Sequence, residues 1–209
     1  MSRENIPLWT DSSFSKIGKN KYSYGWCGIF DIEGTAFVFY GYYVGNKVKT
    51  SAEAEMMSIV NSFKLLDLNV QSFEISKNDK KLNITAINDL KSMNNLINKT
   101  SHWKNIQKNF SVDIKWKKRR SCKELIIVDN IAKKMLKESR YRNQAINVFI
   151  ARATESVNTI SLDFLFSKKE KNESWFKQVE LSISLLELLL FFGLVKLSLA
   201  CWILFYFGR

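Results

Sequence analysis

Three segments near the start of the chain, residues 6–14, 22–31 and 35–44, are rich in aromatic and β-branched side chains. This composition favours β-strands, because such side chains pack well on a pleated, half-buried surface. Residues 32–34 form a link short enough for a tight turn, so the second and third segments should pair in antiparallel fashion. We therefore predict a three-stranded antiparallel meander, whose apolar surface further elements must cover.

The segments after the meander alternate between helical and strand patterns. Apolar side chains recur with helical spacing from Met56 to Leu66, and Thr50 or Ser51 can cap this helix. Further strands are expected at residues 82–88 and 111–117, and further helices at residues 90–98, 103–109 and 122–138. This order predicts an α/β fold with a mixed five-stranded sheet flanked by helices.

Four acidic residues, Asp11, Glu55, Asp89 and Asp129, lie where apolar residues would be expected. Asp11 follows the apolar part of the first strand, and Asp89 ends a strand that should be central. Glu55 comes four residues before an apolar position of its helix, and Asp129 comes four residues after one. Residues four apart share a helix face, so both carboxylates should face the core.

Several carboxylates that converge on one sheet require a counter-charge, because an unpaired buried carboxylate costs several kcal/mol in order of magnitude, about as much as a small domain's net stability. The sequence places no Arg or Lys on those same faces, whereas a hard divalent cation bound by oxygens fits. Two such ions about 4 Å apart can activate a water and stabilise the leaving oxygen in phosphodiester cleavage.

The chain resembles the ribonuclease H family in four short motifs. They are TDSS at 10–13, AEMMSIVNSF at 54–63, IND at 87–89 and VDNIAKKML at 128–136, in the order of that family. The resemblance implies a ribonuclease H-like fold over residues 1–142. It implies an endonuclease that cuts the RNA strand of an RNA–DNA hybrid with two Mg²⁺ ions, for which Mn²⁺ can substitute, and with no organic cofactor.

On this resemblance Asp11, Glu55 and Asp89 form the metal-binding core, and Asp129 is the fourth acid that completes the second metal site. Two departures lie close to these motifs. Ser12 stands where many members carry glycine, and residues 117–124 (KKRRSCKE) lack the histidine that some members carry there.

A structural role remains open for each acid. Asp11 can be a turn residue and Asp89 a helix N-cap. Glu53 competes with Glu55 as the ligand, although Glu53 fits a first-turn acid better. Asp129 depends on the helical register being right.

The chain carries a net charge of +12, which favours a polyanionic partner, either nucleic acid or an anionic membrane surface. The basic run of residues 117–120 lies beside the acids and is predicted to bind substrate phosphates. Ser13, Asn46 and Asn88 are predicted to lie near the minor groove of a hybrid. The residues of the basic run are Lys117, Lys118, Arg119 and Arg120.

The chain is predicted to divide into a catalytic domain at 1–142, an extension and charged linker at 143–182, and an apolar helix at 183–209. Residues 143–166 also show a pattern that two more strands would give. The apolar helix is long enough to span a membrane, which would tether the domain on the cytoplasmic side. It can equally cover the sheet or pair with another chain, or arise from an altered reading frame.

Two functional classes therefore stand. The first is the metal-dependent ribonuclease. The second is a nucleic-acid-binding module on the same fold, non-catalytic or directed to DNA, and tethered to a membrane if the apolar helix spans one. The complete set of four acids favours catalysis.

Overall fold

The computed structural model describes residues 5–69, 81–98, 100–119, 121–142 and 145–160. These residues form six strands and four α-helices, followed by a short 3₁₀ helix at Val157–Thr159. The strands are β1 (Ile6–Gly18), β2 (Lys21–Ile32), β3 (Thr35–Gly45), β4 (Leu82–Asn88), β5 (Phe110–Trp116) and β6 (Ile146–Thr154). The helices are α1 (Ser51–Asn69), α2 (Met93–Ile97), α3 (Ser101–Asn109) and α4 (Lys123–Ser139).

All six strands form one mixed sheet in the order β5-β4-β1-β2-β3-β6. The meander β1-β2-β3 is antiparallel, as predicted, while β4 runs parallel to both β1 and β5. The parallel strands are connected through helices, since such strands cannot be joined by a tight turn. This arrangement is compatible with the ribonuclease H-like fold that the sequence motifs imply.

The predicted count of five strands is wrong, because β6 pairs with β3 in antiparallel register from Ala36 to Val44. Its residues lie beyond residue 142, within the segment expected to be an extension. The local pattern of residues 143–166 did indicate strand, but it could not tell which strand edge would accept it. By pairing with β3, β6 covers backbone groups that would otherwise form a bare sheet edge.

Each face of the sheet has its own hydrophobic core, because successive side chains of a strand point to opposite faces. On one face, α1, α2 and α3 pack against side chains such as Leu8, Trp26 and Phe30. On the other face, α4 packs against the alternate set, which includes Ile29 and Val38. The two helices that carry acids, α1 and α4, therefore approach the sheet from opposite sides.

The contact between α4 and β2 is unusually close at Gly25. A Cβ atom at this position would lie 2.2 Å from the carbonyl oxygen of Ala132 and 2.3 Å from the amide nitrogen of Leu136. No side chain fits there, so the backbones of the strand and the helix touch. In the β1–β2 ladder Gly25 is paired with Ser13, two residues from Asp11.

Several expectations concern residues outside the described part of the chain. They include Arg120, most of the charged linker and the apolar helix at 183–209. Within the described ranges, no helix combines the length and apolarity that a membrane crossing needs. The membrane tether thus remains an expectation from the sequence.

Candidate metal centre

The candidate site begins where β1 and β4 stop pairing. Their parallel ladder ends at the pair Trp9–Ile87, and Asp11 and Asp89 each follow that pair by two residues. Equal steps past the last pair of a parallel ladder keep two residues side by side. The sequence places one carboxylate at each of these two positions, so the sheet brings them together.

Helix α1 adds the third carboxylate from its first turns. The hydroxyl of Thr50 accepts a hydrogen bond from the amide of Glu53 at 3.1 Å, and the Glu53 carboxylate accepts one from the amide of Thr50 at 3.1 Å. This reciprocal capping box fixes where the helix starts. Glu53 is thereby occupied at the helix end, while Glu55 is buried and faces β1.

The carboxylates of Asp11, Glu55 and Asp89 each offer an oxygen that lies within 4.8 Å of the other two. Two neutral donors orient Glu55, since the amide of Ser12 donates to Oε1 at 3.3 Å and Nδ2 of Asn88 donates to Oε2 at 3.1 Å. Asn88 also accepts a hydrogen bond from the amide of Leu90 at 2.7 Å. A side chain amide therefore holds Glu55 and the start of the loop after β4 together.

Burial makes the carboxylates of Asp11 and Glu55 hard to ionise. It is the main reason that the pKa of Asp11 rises from 3.8 to about 6, with a further increase from the charges of Asp89 and Asp129. Burial also raises the pKa of Glu55 well above its ordinary value, and the charge of Asp11 adds to the effect. Like charges held close together in a site that excludes water destabilise the folded state unless a cation compensates them.

Asp129 lies near this group but outside it. It is buried on α4, as its helical position predicted, and it lines the same depression as Glu55 and Asp89. Its Oδ2 pairs with Nζ of Lys133 at 2.5 Å, while its Oδ1 is buried and has no hydrogen-bond partner. One oxygen of the fourth acid thus remains available to a ligand.

The prediction that no Arg or Lys lies on the same faces as the acids is wrong for Lys133, which pairs with Asp129 on α4, and a loop residue, Arg119, also reaches the acids. Nε of Arg119 lies 2.5 Å from Oδ2 of Asp89, and its Nη2 lies 3.6 Å from Oδ1 of Asp11. Lys133 was visible in the sequence, because it follows Asp129 by four residues on one helix face. Arg119 was hidden, because the direction of a loop side chain does not follow from periodicity.

The residues predicted to bind nucleic acid fall into different environments. Ser13 lines the depression, Asn46 is exposed in the loop before α1, and Lys117 and Lys118 are exposed beyond β5. The prediction for Asn88 is corrected: its side chain is fully buried and holds Glu55, so it supports the acids from behind. Arg119 binds acids here, and Arg120 lies outside the described residues.

Sequence reasoning missed three residues near the site, Asn88 as a support, Lys133 as a counter-ion and Trp116 as an exposed neighbour. Trp116 ends β5, and its Nε1 donates to the carbonyl oxygen of Asp89 at 2.9 Å. Its position was readable, because the ends of parallel neighbours meet at one edge of the sheet.

The three carboxylates and the free oxygen of Asp129 fit a hard divalent cation such as Mg²⁺. All four side chains offer oxygens, the carboxylates of Asp11, Glu55 and Asp89 lie close together, and the Asp129 oxygen is buried without a hydrogen-bond partner. The group of candidate metal ligands found among the described residues contains no His or Cys, which are the donors that most transition-metal sites use. The arrangement can therefore hold a metal ion beside the basic side chains of Arg119 and Lys133.

Comparison with known proteins adds little beyond this geometry. No protein family model matches the chain, and no curated protein matches it. A search of solved structures finds the chain described as prototype foamy virus protease-reverse transcriptase in its native form, with 15% sequence identity and a TM-score of 0.43. The match covers 67% of this chain and 21% of that chain. This protein thus spans about a fifth of the length of the solved chain that it matches.

Proposed function

We propose that this protein is a metal-dependent endonuclease that hydrolyses phosphodiester bonds in nucleic acid, with the RNA strand of an RNA–DNA hybrid as its substrate. One observation carries the proposal. The carboxylates of Asp11, Glu55 and Asp89 come from three separate elements and meet within 4.8 Å in a buried place. The preference for RNA in a hybrid is supported by the resemblance of the sequence motifs to ribonuclease H.

Asp11, Glu55 and Asp89 would hold one Mg²⁺ ion, and Asp129 would contribute to a second. Bound Mg²⁺, or Mn²⁺ in its place, would supply Lewis-acid stabilisation of charge at the scissile phosphate and make a nucleophilic water available at neutral pH. No organic cofactor is required for this chemistry.

The protein's own groups prepare the site. Asn88 and the amide of Ser12 hold Glu55 in one orientation, so its oxygens need not reorganise on binding a cation. Ser13, which lines the depression, and the exposed Lys117 and Lys118 would contact the sugar–phosphate backbone of a bound substrate. Arg119 can also serve there once a metal ion has taken over the acids that it binds.

The test uses the full chain, because β6 belongs to the sheet and a fragment ending at residue 142 would lack it. Labelled RNA–DNA hybrid, duplex DNA and single-stranded RNA are each incubated with Mg²⁺ or with EDTA. We expect Mg²⁺-dependent cutting of the RNA strand of the hybrid alone. Cutting of duplex DNA would show that the substrate is DNA and not the hybrid. Folded protein that cuts nothing with Mg²⁺ or Mn²⁺ would refute the proposal.

A second function is favoured by the three ion pairs that Arg119 and Lys133 form with the acids. Arg119 and Lys133 already offset part of the negative charge, so the acids can persist without a metal ion. This supports a nucleic-acid-binding module without cleavage. Titration with Mg²⁺ by calorimetry separates the two, because the binding module should take up no ion at micromolar to millimolar concentrations.

The reducing cytoplasm is the proposed place of action. Cys27 and Cys122 are free thiols, and Cys27 is fully buried. Free thiols are typical of reducing compartments. A membrane tether through residues 183–209 remains a separate proposal, which membrane flotation of the full chain and of a chain ending at residue 182 would test.

A further inference from the structure

An exposed tryptophan stands beside the candidate metal centre. Trp116 is 46% exposed, whereas Trp26 and Trp103 are buried and Trp9 is only partly exposed. Among the tryptophans that the structure describes, it is thus the one that water reaches most. An exposed aromatic ring next to basic side chains is the kind of surface on which nucleic-acid bases stack.

Two contacts fix the orientation of this ring. Its Nε1 donates to the carbonyl oxygen of Asp89 at 2.9 Å, and Nζ of Lys91 lies 4.7 Å from the ring centroid. The amide of Lys117 donates to the carbonyl oxygen of Asn88 at 3.0 Å, which ties the end of β5 to the end of β4. The indole is therefore held in a set position relative to Asp89.

Basic residues lie close to the ring in space and in sequence. Lys117 and Lys118 follow it directly and are exposed, and Lys91 lies over it. An aromatic face next to ammonium groups matches the two parts of a nucleotide, because bases and sugars pack on aromatic rings while phosphates bind cations. We call Trp116, Lys91, Lys117 and Lys118 the Trp116 platform.

The platform lies at a useful distance from the acids. Trp116 is paired with Asn88 in the β4–β5 ladder, and β4 lies between β5 and β1. Strands in a sheet are about 4.8 Å apart, so the end of β5 lies about one strand spacing from Asp89, which follows β4, and roughly 10 Å from the end of β1, which carries Asp11. These separations correspond to between about one and three base steps at about 3.4 Å each.

We propose that the Trp116 platform binds a nucleotide of the substrate within about three positions of the bond that is cut. The indole packs against its base or sugar, and the lysines bind its phosphate. The inference rests on the proposed function for the identity of the polymer, but it concerns binding and requires no metal ion. The nucleotide can belong to a single strand or to a hybrid, and the experiment separates these sources.

The experiment measures binding of the full chain to single-stranded RNA and to an RNA–DNA hybrid in EDTA, which prevents cleavage. Trp116→Phe keeps an aromatic ring but loses the Nε1 donor, whereas Trp116→Leu loses both. Stacking on an aromatic ring is worth a factor of roughly ten in affinity per base. We therefore expect the affinity of Trp116→Phe for nucleic acid to lie within about threefold of that of the native chain, and the affinity of Trp116→Leu to be about tenfold lower.

Fluorescence supplies an independent readout. Nucleic acid should quench the emission of the native chain, and this quenched component should be absent from Trp116→Phe. Lys91→Met should lower the slope of log affinity against log salt by about one, as expected for one lost phosphate contact. Lys104→Met is the matched control, because Lys104 is exposed on α3, and it should leave binding unchanged.

Equal affinities of the Phe and Leu variants would overturn the platform. If both are equally weak, Trp116 acts only through the Asp89 carbonyl, and if both match the native chain, the ring contacts nothing. Absence of any binding to either polymer would overturn it as well. Failure of cleavage with the expected binding pattern would refute only the nuclease proposal, so the two failures are distinguishable.

Discussion

Helices α1 and α4 each bring one buried carboxylate to the site, but the two carboxylates have different partners. Glu55 on α1 and Asp129 on α4 are 7% and 4% exposed. Glu55 is held by two neutral donors, the amide of Ser12 and the side chain of Asn88. Asp129 is held by the charged Lys133, which lies on its own helix.

The difference shows two ways of keeping an acid buried. Neutral donors fix the orientation of Glu55 without cancelling its charge, so the negative charge on the α1 side remains available to a metal ion. On the α4 side Lys133 already compensates part of the charge of Asp129, and its side chain is 49% exposed, so a metal ion can displace it. We therefore expect the α1 side to dominate metal binding, and the following predictions test this asymmetry.

The largest effect should come from Asp11→Asn. This change removes one ligand charge and keeps the shape, so Mg²⁺ binding and cleavage should fall by more than about a hundredfold, the upper limit for loss of a mere supporting group. Calorimetry and a hybrid-cleavage assay measure both. Asp31→Asn, the same change at a distant position of β2, is the control. Unchanged cleavage in Asp11→Asn would show that the site is misassigned.

The next largest effect on Mg²⁺ affinity should come from Asn88→Ala. Glu55 would lose its side-chain donor and rotate more freely, and we expect Mg²⁺ affinity to fall about 10- to 100-fold. Circular dichroism should show that the fold is retained, with a stability loss of about 1–3 kcal/mol for the unmade buried hydrogen bonds. If Mg²⁺ affinity stays within twofold of the native value, the preorganisation assigned to the α1 side is contradicted.

The metal-free protein should become less stable as the pH rises from about 4 to about 6. The pKa of Asp11 is about 6 in the fold and 3.8 as its ordinary value, so the folded state binds more protons in that interval. The stability contributed by its protonated form is complete below pH 4 and is lost as the pH passes 6. Thermal unfolding of the native chain and of Asp11→Asn in EDTA, measured over this pH range, isolates the contribution of Asp11 to stability. If stability depends on pH in the same way in both proteins, the prediction is contradicted.

The smallest effect should come from Lys133→Met on α4. Because Lys133 is half exposed, its ion pair should contribute no more than about 1 kcal/mol to stability. Removing a competing cation should raise Mg²⁺ affinity a few-fold, opposite in sign to the effect of Asn88→Ala. Lys134→Met on the same helix is the comparison variant, and a fall in Mg²⁺ affinity for Lys133→Met alone would reverse the asymmetry.

Local patterns predicted the elements of the fold well, because helical and strand spacing depend on nearby residues. The register of α4 was right, and Asp129 is buried as the spacing from Leu125 indicated. β1 extends to Gly18 rather than to residue 14, since its pairing with β2 continues through polar residues. The pairing of β6 with β3 escaped prediction, because a strand's partner is chosen over a long range.

The site was predictable in its acids and unpredictable in its cations. A carboxylate on an apolar face is conspicuous in sequence, whereas a flexible Arg119 in a loop can reach any of several neighbours. Asn88 was assigned to the wrong environment for a related reason. A polar residue at a strand end can point outward or inward, and only the position of Glu55 on α1 decides between them.

The close approach at Gly25 has a consequence for how such a site can change over time. The spacing between α4 and the sheet, and with it the reach of Asp129 toward Asp11, is limited by a position that has no side chain. Substitution there would displace an acid without altering any charge. A mutant library restricted to ionisable residues would therefore not sample Gly25, although this position limits how closely α4 approaches the sheet. Substitutions at Gly25 would change the distance between Asp129 and the other acids.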